Sequence, residues 1–533
     1  MRTILYLTLF FFTSFAVNSQ EEAWVYLSDK ENVTASLANP ISILTQKAID
    51  RKNRHGVSID ARDVPVNENY ITQLKNSAGI TVMAKSKWFN AVHVRGSQTD
   101  IEALENFSFV DSVEFADRSL NTSKFTQIKK KSKLEKELTT FNYGNAANQI
   151  EMFNGDDLHL DDYTGSGMTI ALLDAGYPNV NTMASFQRLR DAGNLLGSYD
   201  FVGRDVDVYT GTTSNHGTLV FSDMAGYVEN QFVGTAPDAS YYLFITEDAT
   251  SETPVEESYW VEAAERADSL GVDIVNTSLG YSDFDGTKYD YSQADMNGTT
   301  TFITRGANIA FEKGLLCVNS AGNSGTWGIT APADSPNVLT VGAVNASGTY
   351  ANFSSVGTVH QPTQKPDVAA QGAASYVISE NDIIFTANGT SFSSPILAGG
   401  VACLWQALPN KTNAEIMQLV RESSSQFNSP DNFLGHGIPN LKSALDTALS
   451  VDENVLAEFS INIFPNPVTD KLFIKLSSGE GSLRLFDISG RYLRTHALIS
   501  NRNTLDMSYL AKGIYLAEVQ FETVSKTFKI IKQ

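Results

Sequence analysis

Three residues in the middle of the chain have side chains and neighbours that could carry out chemistry together. Asp174 ends an apolar run in IALLDAG, His216 precedes a helical pattern in SNHGTLVFSDMAG, and Ser391 starts another helical pattern in NGTSFSSPILAGG. Taken singly, each has an ordinary structural role, because acids often end strands and serine often caps helices. Their occurrence in one domain, in the order Asp, His, Ser, favours a shared catalytic role.

The chemistry available to such a set is acyl transfer to a serine hydroxyl. A hydroxyl is a poor nucleophile at neutral pH and needs a neighbouring base. Histidine, whose ordinary pKa is about 6.5, can accept the hydroxyl proton and return it to a leaving amine. A buried carboxylate fixes the imidazole tautomer and stabilises its charged form. The residue types therefore predict a nucleophile, Ser391, a base, His216, and an orienting acid, Asp174.

Acyl transfer also needs a donor for the negative charge that develops on the substrate oxygen. Asn323 lies in VNSAGNSGTW, where small residues follow a buried strand pattern and would let an amide approach a substrate closely. The alternative is structural, since asparagine often forms a turn by bonding to its own backbone. Asn323 is the candidate oxyanion donor, and the turn stays open as its alternative.

The elements that must position these residues are predicted from apolar patterns between residues 143 and 450. Short apolar runs alternate with helical patterns such as residues 255–271, which is typical of a parallel sheet covered on both faces. We therefore expect an α/β domain over residues 143–450, with helices on both faces of a parallel sheet. The predicted strands are residues 168–174, 241–245, 272–279, 314–322 and 337–344.

The start of the chain predicts export from the cytoplasm. Arg2 precedes an apolar stretch over residues 4–17, and small residues precede Gln20. This pattern is typical of a secretory signal peptide, here residues 1–19, and the stretch is too short to span a membrane. No later apolar run reaches the roughly 18 residues of a membrane helix. We expect an exported, soluble mature protein without a transmembrane segment.

Two folded regions and a linker flank the central domain. Residues 20–118 mix strand and helix patterns, which favours a small α+β domain. Residues 119–142 are polar, with the lysine-rich run KKKSKLEKE at 129–137, and predict an exposed linker that proteases can reach. Residues 455–533 alternate apolar and polar residues between turns, which predicts a separate all-β module.

The charge of the chain excludes one class of function. The 533 residues include 60 acidic and 39 basic ones, for a net charge of −21. Residues 141–450 hold 35 acids and 11 bases, so the net acidity lies in the central domain. Binding a nucleic acid requires basic surface, and that class is therefore excluded. The two cysteines, Cys317 and Cys403, lie in apolar runs and are predicted to be buried, not to form a disulfide scaffold.

The motifs together resemble those of the subtilisin-like serine endopeptidases, in which the triad runs Asp, His, Ser along the chain. The resemblance covers about residues 145–447. It implies a catalytic triad of Asp174, His216 and Ser391, with Asn323 as oxyanion donor and proteins or peptides as substrates. The matching motifs are LLDAG at 172–176, HGT at 216–218, SLG at 278–280, SAGN at 320–323 and GTSxxxP at 389–395.

The same resemblance implies a substrate cleft and shows where this chain departs from the usual motifs. Ala175, Leu219 and Phe392 replace residues that are common beside the triad, and none is a group that the mechanism uses. They bear on substrate preference and not on the reaction. In the family, two short segments pair with the peptide backbone as extra strands. By resemblance that role falls to Ser278, Leu279, Gly280, Ser320, Ala321 and Gly322.

The flanking regions resemble known companions of such enzymes. Residues 21–118 are similar to the inhibitory propeptide that assists folding of these proteases. The tail, with FPNPVTDKLFIKL at 464–476 and LAKGIYLAEV at 510–519, resembles the C-terminal sorting domain of the type IX secretion system of Gram-negative bacteria. The resemblance implies passage through the periplasm, the type IX machinery as partner and a secreted or cell-surface product. A carbohydrate-binding or adhesive module is the alternative for the tail.

No required cofactor is predicted, and calcium stays an open expectation. The sequence has no Cys/His cluster with zinc spacing. Asp200, Asp205 and Asp207 resemble a loop that binds calcium in some family members, and a solvated acidic loop is the favoured alternative. Residues 281–298 form an acidic, aromatic insertion that lies either at the edge of the cleft or in plain solvated surface.

Two other functions remain to be weighed against a secreted endopeptidase. The first is a catalytically idle member of the same fold that serves as a surface adhesin or binding module. The presence of Asp174, His216, Asn323 and Ser391 argues against it, because an idle relative usually loses at least one such group. The second is a lipase or esterase. It is disfavoured because the G-x-S-x-G elbow is absent around Ser391 and the triad order differs.

Overall fold

The structure of the protein is a computed structural model in which two compact units are found, residues 1–444 and residues 445–533. The predicted signal peptide and most of the predicted linker lie outside the described residues. The described residues are 20–121, 141–212, 214–458, 461–476, 481–487, 491–499, 501–521 and 524–533.

The first region is an antiparallel sheet with four short helices. In chain order its elements are β1 Gln20–Leu27, α1 Val33–Ala38, α2 Gln46–Arg54, α3 Glu68–Lys75, β2 Thr81–Ser86, β3 Ala91–Ser97, α4 Gln98–Glu102 and β4 Val110–Phe115. The strands pair in the order β2-β3-β1-β4. Along β1, Ala23 and Val25 lie in the core of this region while Trp24 faces the other way, as the two-residue period of a strand requires.

The central region contains the predicted α/β domain. Its helices are α5 Ala147–Glu151, α6 Gly155–Leu160, α7 Gln187–Asp191, α8 His216–Ala225, α9 Val255–Leu270, α10 Phe302–Glu312, α11 Thr390–Ala407, α12 Asn413–Glu422 and α13 Leu441–Glu458. Its strands are β5 Thr169–Asp174, β6 Leu195–Asp200, β7 Tyr227–Val228, β8 Phe232–Val233, β9 Ser240–Ile245, β10 Ile274–Thr277, β11 Leu316–Ser320, β12 Val338–Val344, β13 Val368–Gln371, β14 Ser375–Ile378 and β15 Ile384–Ala387.

Seven of these strands form one parallel sheet in the order β13-β12-β11-β10-β5-β9-β6. Every residue of β5 is buried, as expected for a strand covered on both faces. Ala171 and Leu173 pack in a core cluster with α9 and α10 residues, and α11 lies against β10 to β13. The predicted fold class is confirmed, and all five predicted strands are present. The edge strands β6 and β13 were not predicted, since β6 carries no continuous apolar run and β13 has only four residues.

The N-terminal sheet packs on α9 and α10 of the central region. The Trp24 ring stacks on Phe302 with centroids 4.4 Å apart, and its Nε1 donates to Ser258 Oγ at 2.8 Å. Buried charge also crosses this boundary. Lys52 Nζ lies 2.7 Å from Asp268 Oδ1, and Glu265 accepts the backbone N–H of Trp88 at 2.9 Å. Since removing one partner of a buried ion pair is costly, these contacts hold the N-terminal region in one position.

The acidic, aromatic insertion at 281–298 is folded onto this core and is not plain solvated surface. Tyr281, Phe284, Tyr289 and Tyr291 are buried in the cluster that contains α9 and α10 residues. Tyr291 Oη donates to Glu257 Oε2 at 2.8 Å. The aromatic rings therefore anchor the segment, and its residues Asp283 and Asp285 line the surface of a cleft.

The second unit contains seven strands in two antiparallel sheets. They are β16 Ile461–Phe464, β17 Lys471–Leu476, β18 Gly481–Asp487, β19 Tyr492–Leu498, β20 Asn501–Asp506, β21 Gly513–Phe521 and β22 Val524–Lys532. The sheets run β16-β17-β20 and β19-β18-β21-β22. Leu472 and Ile474 of one sheet and Leu483 and Leu485 of the other share one apolar core, so the unit is a small β-sandwich.

Two further predictions can be compared with the described residues. None of the helices in the described ranges is long and apolar enough to cross a membrane. Cys317 and Cys403 are both free and buried, as their apolar surroundings predicted.

Candidate active site

Asp174 and His216 meet at the carboxyl end of the parallel sheet. Asp174 is the last residue of β5, and His216 is the first residue of α8. Asp174 Oδ1 lies 2.7 Å from His216 Nδ1 and also accepts the Ala175 N–H at 2.7 Å. Because an ionised carboxylate can only accept, Nδ1 carries the proton and Nε2 is left as the basic nitrogen of the ring.

The environment of His216 favours its charged form. Burial opposes a charge on the imidazole, but the attraction and the hydrogen bond of Asp174 outweigh it and raise the pKa of His216. Asp174 itself is fully buried. The pair is therefore built to accept a proton on His216 and to hold the imidazolium that results.

Ser391 is the second residue of α11 and lies at the same end of the sheet. Its Oγ donates to the Ser278 carbonyl at 3.3 Å, and Ser278 Oγ donates in return to the Ser391 carbonyl at 2.8 Å. Among the described residues no hydrogen bond joins Ser391 Oγ to His216. The Phe392 ring lies 6.2 Å from the His216 ring, so the helix start brings the serine and the histidine into one region.

Asn323 is fixed by the start of α11 and not by its own backbone. Its Oδ1 accepts the Thr390 N–H at 2.9 Å and the Thr390 hydroxyl at 3.1 Å. The carbonyl end of the amide is thus occupied, which leaves the Nδ2 donor on the side of Gly389, where an added Cβ would lie 3.7 Å from it. The local turn considered for Asn323 is not formed by these contacts.

Two adjoining cavities form the cleft around these residues. One, of about 530 Å³, is bordered by His216, and the other, of about 300 Å³, contains Ser391 and Asn323. Ser278 and Leu279 line both cavities. Gly280, Ser320 and Gly322 line the smaller one, whereas Ala321 is fully buried against Ile329 and Ala333.

The cleft also contains residues that no motif marks. Glu247 and Glu252 line the cavity beside His216, while Asp283 and Thr330 line the cavity beside Ser391. Asp283 belongs to the acidic insertion that the sequence allowed at the edge of the cleft, whereas Glu247 and Glu252 had no signal beyond the acidity of the central domain. Thr330 had no sequence signal.

The suggested calcium loop follows β6. Asp200 Oδ1 accepts the N–H groups of Val202 and Gly203 at 2.7 and 2.8 Å, and Asp205 Oδ1 accepts the N–H of Asp207 at 2.7 Å. Burial raises the pKa of the Asp200 carboxyl. Within the described ranges no group of three or more His, Cys, Asp or Glu side chains is placed to hold a metal ion. Calcium binding by this loop remains to be tested, with a solvated acidic loop as the favoured alternative.

The central part of the chain matches the family model described as the subtilase family over residues 165–437, just over half of the chain. The chain belongs to the subtilase family. It is accordingly a serine endopeptidase by family, as the motifs around Asp174, His216 and Ser391 suggested.

The subtilase is also similar to several individual proteins. It is 29% identical over 300 residues to subtilisin NAT of Bacillus subtilis subsp. natto, covering 55% of this chain and 70% of that protein. It is 28% identical over 315 residues to serine protease AprX of Bacillus subtilis (strain 168), covering 53% and 67%. A crystal structure of MycP1 with the N-terminal propeptide removed aligns with a TM-score of 0.44 and 22% identity, over 56% of this chain and 96% of that one.

The regions on either side of the subtilase domain match two further models. Residues 22–135 match a peptidase S8 propeptide domain of Bacteroidota, and residues 462–533 match a secretion system C-terminal sorting domain. The predicted propeptide and sorting tail are thereby confirmed, and the propeptide match continues into the segment predicted as a linker. The subtilase is made as a zymogen and is a secreted or cell-surface protein.

Proposed function

We propose that the subtilase hydrolyses peptide bonds of proteins through an acyl-enzyme, with Ser391 as nucleophile, His216 as general base and Asp174 as orienting acid. The observation that carries this proposal is the 2.7 Å hydrogen bond between Asp174 Oδ1 and His216 Nδ1 at the wall of a cleft that also contains Ser391. It leaves the basic nitrogen of the ring for the serine proton.

The reaction proceeds in two balanced halves. Ser391 Oγ leaves the Ser278 carbonyl, passes its proton to His216 Nε2 and attacks the peptide carbonyl carbon. His216 then gives that proton to the amine nitrogen as the C–N bond breaks, which leaves an ester on Ser391. Water attacks the ester with His216 again as base, and the proton returns to Ser391 Oγ as the acid product leaves.

The oxyanion and the peptide backbone need their own partners in this proposal. Asn323 Nδ2 would donate to the oxygen that becomes negative, because its carbonyl end is already held by Thr390. The segments 278–280 and 320–322 would pair with the peptide backbone as flanking strands, with Ala321 contributing from its backbone alone.

Export and maturation are proposed to follow the order of the domains. Residues 1–19 would direct the chain to the periplasm, and residues 455–533 would pass it to the type IX machinery at the outer membrane. The N-terminal domain would occupy the enzyme until the lysine-rich segment within 119–142 is cut. We favour self-processing, because a folded enzyme holds this segment in the same molecule.

An idle adhesin on the same fold is the second function considered, and no contact in the described residues favours it. Asp174 is fully buried and forms a hydrogen bond with His216. A binding module would have no need for a buried carboxylate bonded to a histidine at a cleft, because burying a charged group is costly.

The proposal is tested with Ser391→Ala, which removes one oxygen atom. We expect the purified variant to remain an uncut precursor and to leave casein intact, whereas wild type sheds its N-terminal domain and digests casein. A serine-directed covalent inhibitor should abolish the wild-type activity and label Ser391. Intact mass of both proteins over time, with casein digestion beside it, is the measurement.

A trace of active wild type is the control for folding of the variant. If it cuts the Ser391→Ala precursor at the normal positions, the variant has a native linker and has lost only its own nucleophile. Maturation of isolated Ser391→Ala at the normal rate, with no other protease present, would contradict self-processing by Ser391.

A further inference from the structure

The walls of the cleft carry an unusual concentration of negative charge. Five carboxylates line the two cavities beside His216 and Ser391, and no Lys or Arg lines either of them among the described residues. The hydrogen bonds that these carboxylates accept in the described part of the chain come from neutral groups, such as the Tyr281 and Ser282 hydroxyls. The five are Glu247, Asp248, Glu252, Asp283 and Asp285.

The crowding of these acids is itself unfavourable. Burial, together with repulsion from Asp285, raises the pKa of Glu252 to about 7. Burial and repulsion from Glu252 likewise raise the pKa of Glu247 to about 8. Like charges held this close destabilise each other unless a cation lies between them. Without a cation, protons held on Glu247 and Glu252 relieve this repulsion around neutral pH, and a cationic side chain between the two carboxyls would displace those protons and leave both groups ionised.

An independent observation marks the smaller cavity as a binding site. Thr330 lines it, is only 5% exposed, and its Oγ1 has no hydrogen-bond partner. A Cβ added at Gly280 would lie 2.2 Å from this oxygen, and one added at Gly322 would lie 3.1 Å from it. The two glycines thus leave room for a buried hydroxyl between the segments that flank the substrate. Since an unpaired buried hydroxyl is costly, a polar ligand group is its natural partner.

We propose that the cleft selects lysine or arginine at the residue that supplies the scissile carbonyl. This inference rests on the proposed endopeptidase function and names the substrate class of the same site. The smaller cavity contains both the nucleophile and the oxyanion donor, so its occupant is the side chain next to the cleaved bond. A cationic side chain there would reach the Thr330 hydroxyl and the carboxylates of Asp283 and Glu252.

The larger cavity extends the preference to a second basic side chain. It borders His216 and is lined by Glu247, Asp248 and Asp285, and Glu252 lies at the wall that the two cavities share. A peptide with two nearby basic residues would therefore neutralise both parts of the cleft. Electrostatic complementarity of this kind mainly improves selectivity and the rate of association.

The sequence of the chain also contains a segment of matching charge. Lysines are concentrated at 129–137, in the segment that must be cut to release the N-terminal domain. Before that segment in the chain, Arg118 pairs with Asp295 of the insertion whose residues Ser282, Asp283 and Asp285 line the cleft. The enzyme's own linker would therefore be a basic substrate of the kind that the cleft is proposed to select.

The test compares peptides that differ in a single residue. Fluorogenic peptides carrying Lys, Arg, Met or Glu immediately before the scissile amide are cleaved by the matured enzyme made from the full chain. Met matches Lys in length without its charge. We expect kcat/KM for Lys and Arg to exceed that for Met by about tenfold or more, and Glu to be the poorest. Raising the salt concentration should reduce the advantage of Lys.

Substitutions of the residues that line the cleft test whether they cause the preference for a basic side chain. Asp283→Asn and Glu252→Gln should each lower the Lys-to-Met ratio of kcat/KM several-fold, and Thr330→Val should lower it as well, by less. Glu229→Gln removes a carboxylate from the exposed turn between β7 and β8 and should leave the ratio unchanged. Active-site titration with a serine-directed inhibitor corrects each variant for its folded fraction.

A second substrate tests the preference on the chain itself. Ser391→Ala precursor is cut in trans by wild type, and mass spectrometry should place the cuts after lysines of the 119–142 segment. Replacing Lys129, Lys130 and Lys131 by Gln should move or slow those cuts. Efficient cleavage of the Met peptide with no advantage for Lys would overturn the specificity while leaving the proposed endopeptidase in place. Failure to cleave any peptide or casein would overturn both.

Discussion

The two carboxylate oxygens of Asp174 differ in their hydrogen bonds, and this difference bears on the protonation of His216. Oδ1 accepts both the Ala175 N–H and the His216 ring, whereas Oδ2 is buried without a hydrogen-bond partner. A buried carboxylate with an unused oxygen is unfavourable by itself. The Asp174 carboxylate is stabilised most when His216 becomes positively charged. The cost of burying Asp174 therefore favours proton uptake by the histidine during the proposed reaction.

The amide of Asn323 gives the sharpest prediction at this scale. Asn323→Ala removes a donor that would act chiefly on the transition state, so kcat should fall while KM changes little. A loss of roughly 10²–10³ in kcat is expected, a magnitude known for the oxyanion asparagine of a subtilisin, and therefore of this family. Steady-state kinetics on one peptide substrate provide the measurement.

Asn323→Asp serves as the matched comparison for that substitution. It keeps the shape of the side chain and the oxygen that Thr390 binds, but it replaces the Nδ2 donor by a negative oxygen. The Asp variant should therefore be at least as slow as the Ala variant. A kcat close to wild type in either protein would remove Asn323 from the proposed oxyanion site.

Helix α9 determines how the N-terminal domain is held. Glu265 on this helix accepts hydrogen bonds from Ser86 Oγ and from the N–H groups of Lys87 and Trp88. Burial raises the pKa of Glu265 to about 7, from an ordinary value of 4.5. The docked state therefore holds a proton that Glu265 would release once water reaches it.

The sign of the pH dependence follows from this raised pKa. The contribution of protonated Glu265 to the binding free energy is complete below about pH 4.5 and is lost as the pH rises through 7. Binding of the cleaved N-terminal domain should therefore weaken between pH 5 and pH 8. Asp268 has a lowered pKa and therefore favours docking as the pH rises, but its effect lies below the range of pH 5 to pH 8. Burial would raise its pKa, yet attraction to Lys52 and Arg51 holds it at about 2.

Gel filtration of linker-cleaved, inhibitor-treated enzyme measures this effect as the fraction of N-terminal domain that stays bound. Glu265→Gln should flatten the dependence between pH 5 and pH 8, because an amide does not titrate in this range. Glu229→Gln, on an exposed turn, should retain it. Binding that strengthens as the pH rises would contradict the assignment to Glu265.

The loop after β6 allows a test of the calcium expectation. Because Asp200 and Asp205 already accept backbone N–H groups, we expect a chelator to leave the thermal midpoint unchanged. A midpoint that falls on chelation would instead indicate a stabilising bound cation. In that event the double substitution Asp200→Asn and Asp205→Asn should remove the effect of the chelator on the thermal midpoint. Differential scanning calorimetry measures the midpoint in each case.

At the scale of the whole molecule, the chain divides into units that can be tested separately. Residues 1–444 form one compact unit, and the strands of residues 461–532 have an apolar core of their own. Deleting residues 455–533 should therefore leave the catalytic unit folded and able to react with a serine-directed inhibitor. The truncated protein should accumulate in the periplasm, as seen by immunoblots of cell fractions.

The full-length Ser391→Ala protein is the control for that deletion, since it keeps the sorting tail and lacks the proposed activity. It should leave the cell in normal amounts. Normal appearance of the truncated protein outside the cell would show that residues 455–533 do not direct sorting.

Local patterns determined much of the fold before any tertiary contact was known. Apolar runs predicted β5 and β9 to β12, because strands buried on both faces have few polar residues. Motifs of a few residues marked Asp174, His216, Asn323 and Ser391. The edge strands β6 and β13 were missed, since β6 is half-buried without a continuous apolar run and β13 has only four residues. Periodicity reports whether a face is buried and does not report what lies against it.

The charge of the cleft was decided only by tertiary structure. Sequence showed an excess of acid in residues 141–450, yet Glu247 and Asp283 are 36 positions apart and meet at one cleft because the intervening chain forms α9 and β10. Likewise, Asn323 is oriented by Thr390, 67 positions away. Short-range sequence specifies elements and residue types, but the pairing of elements is fixed by burial of their joint apolar surface. Contacts between distant residues therefore become visible only in the folded chain.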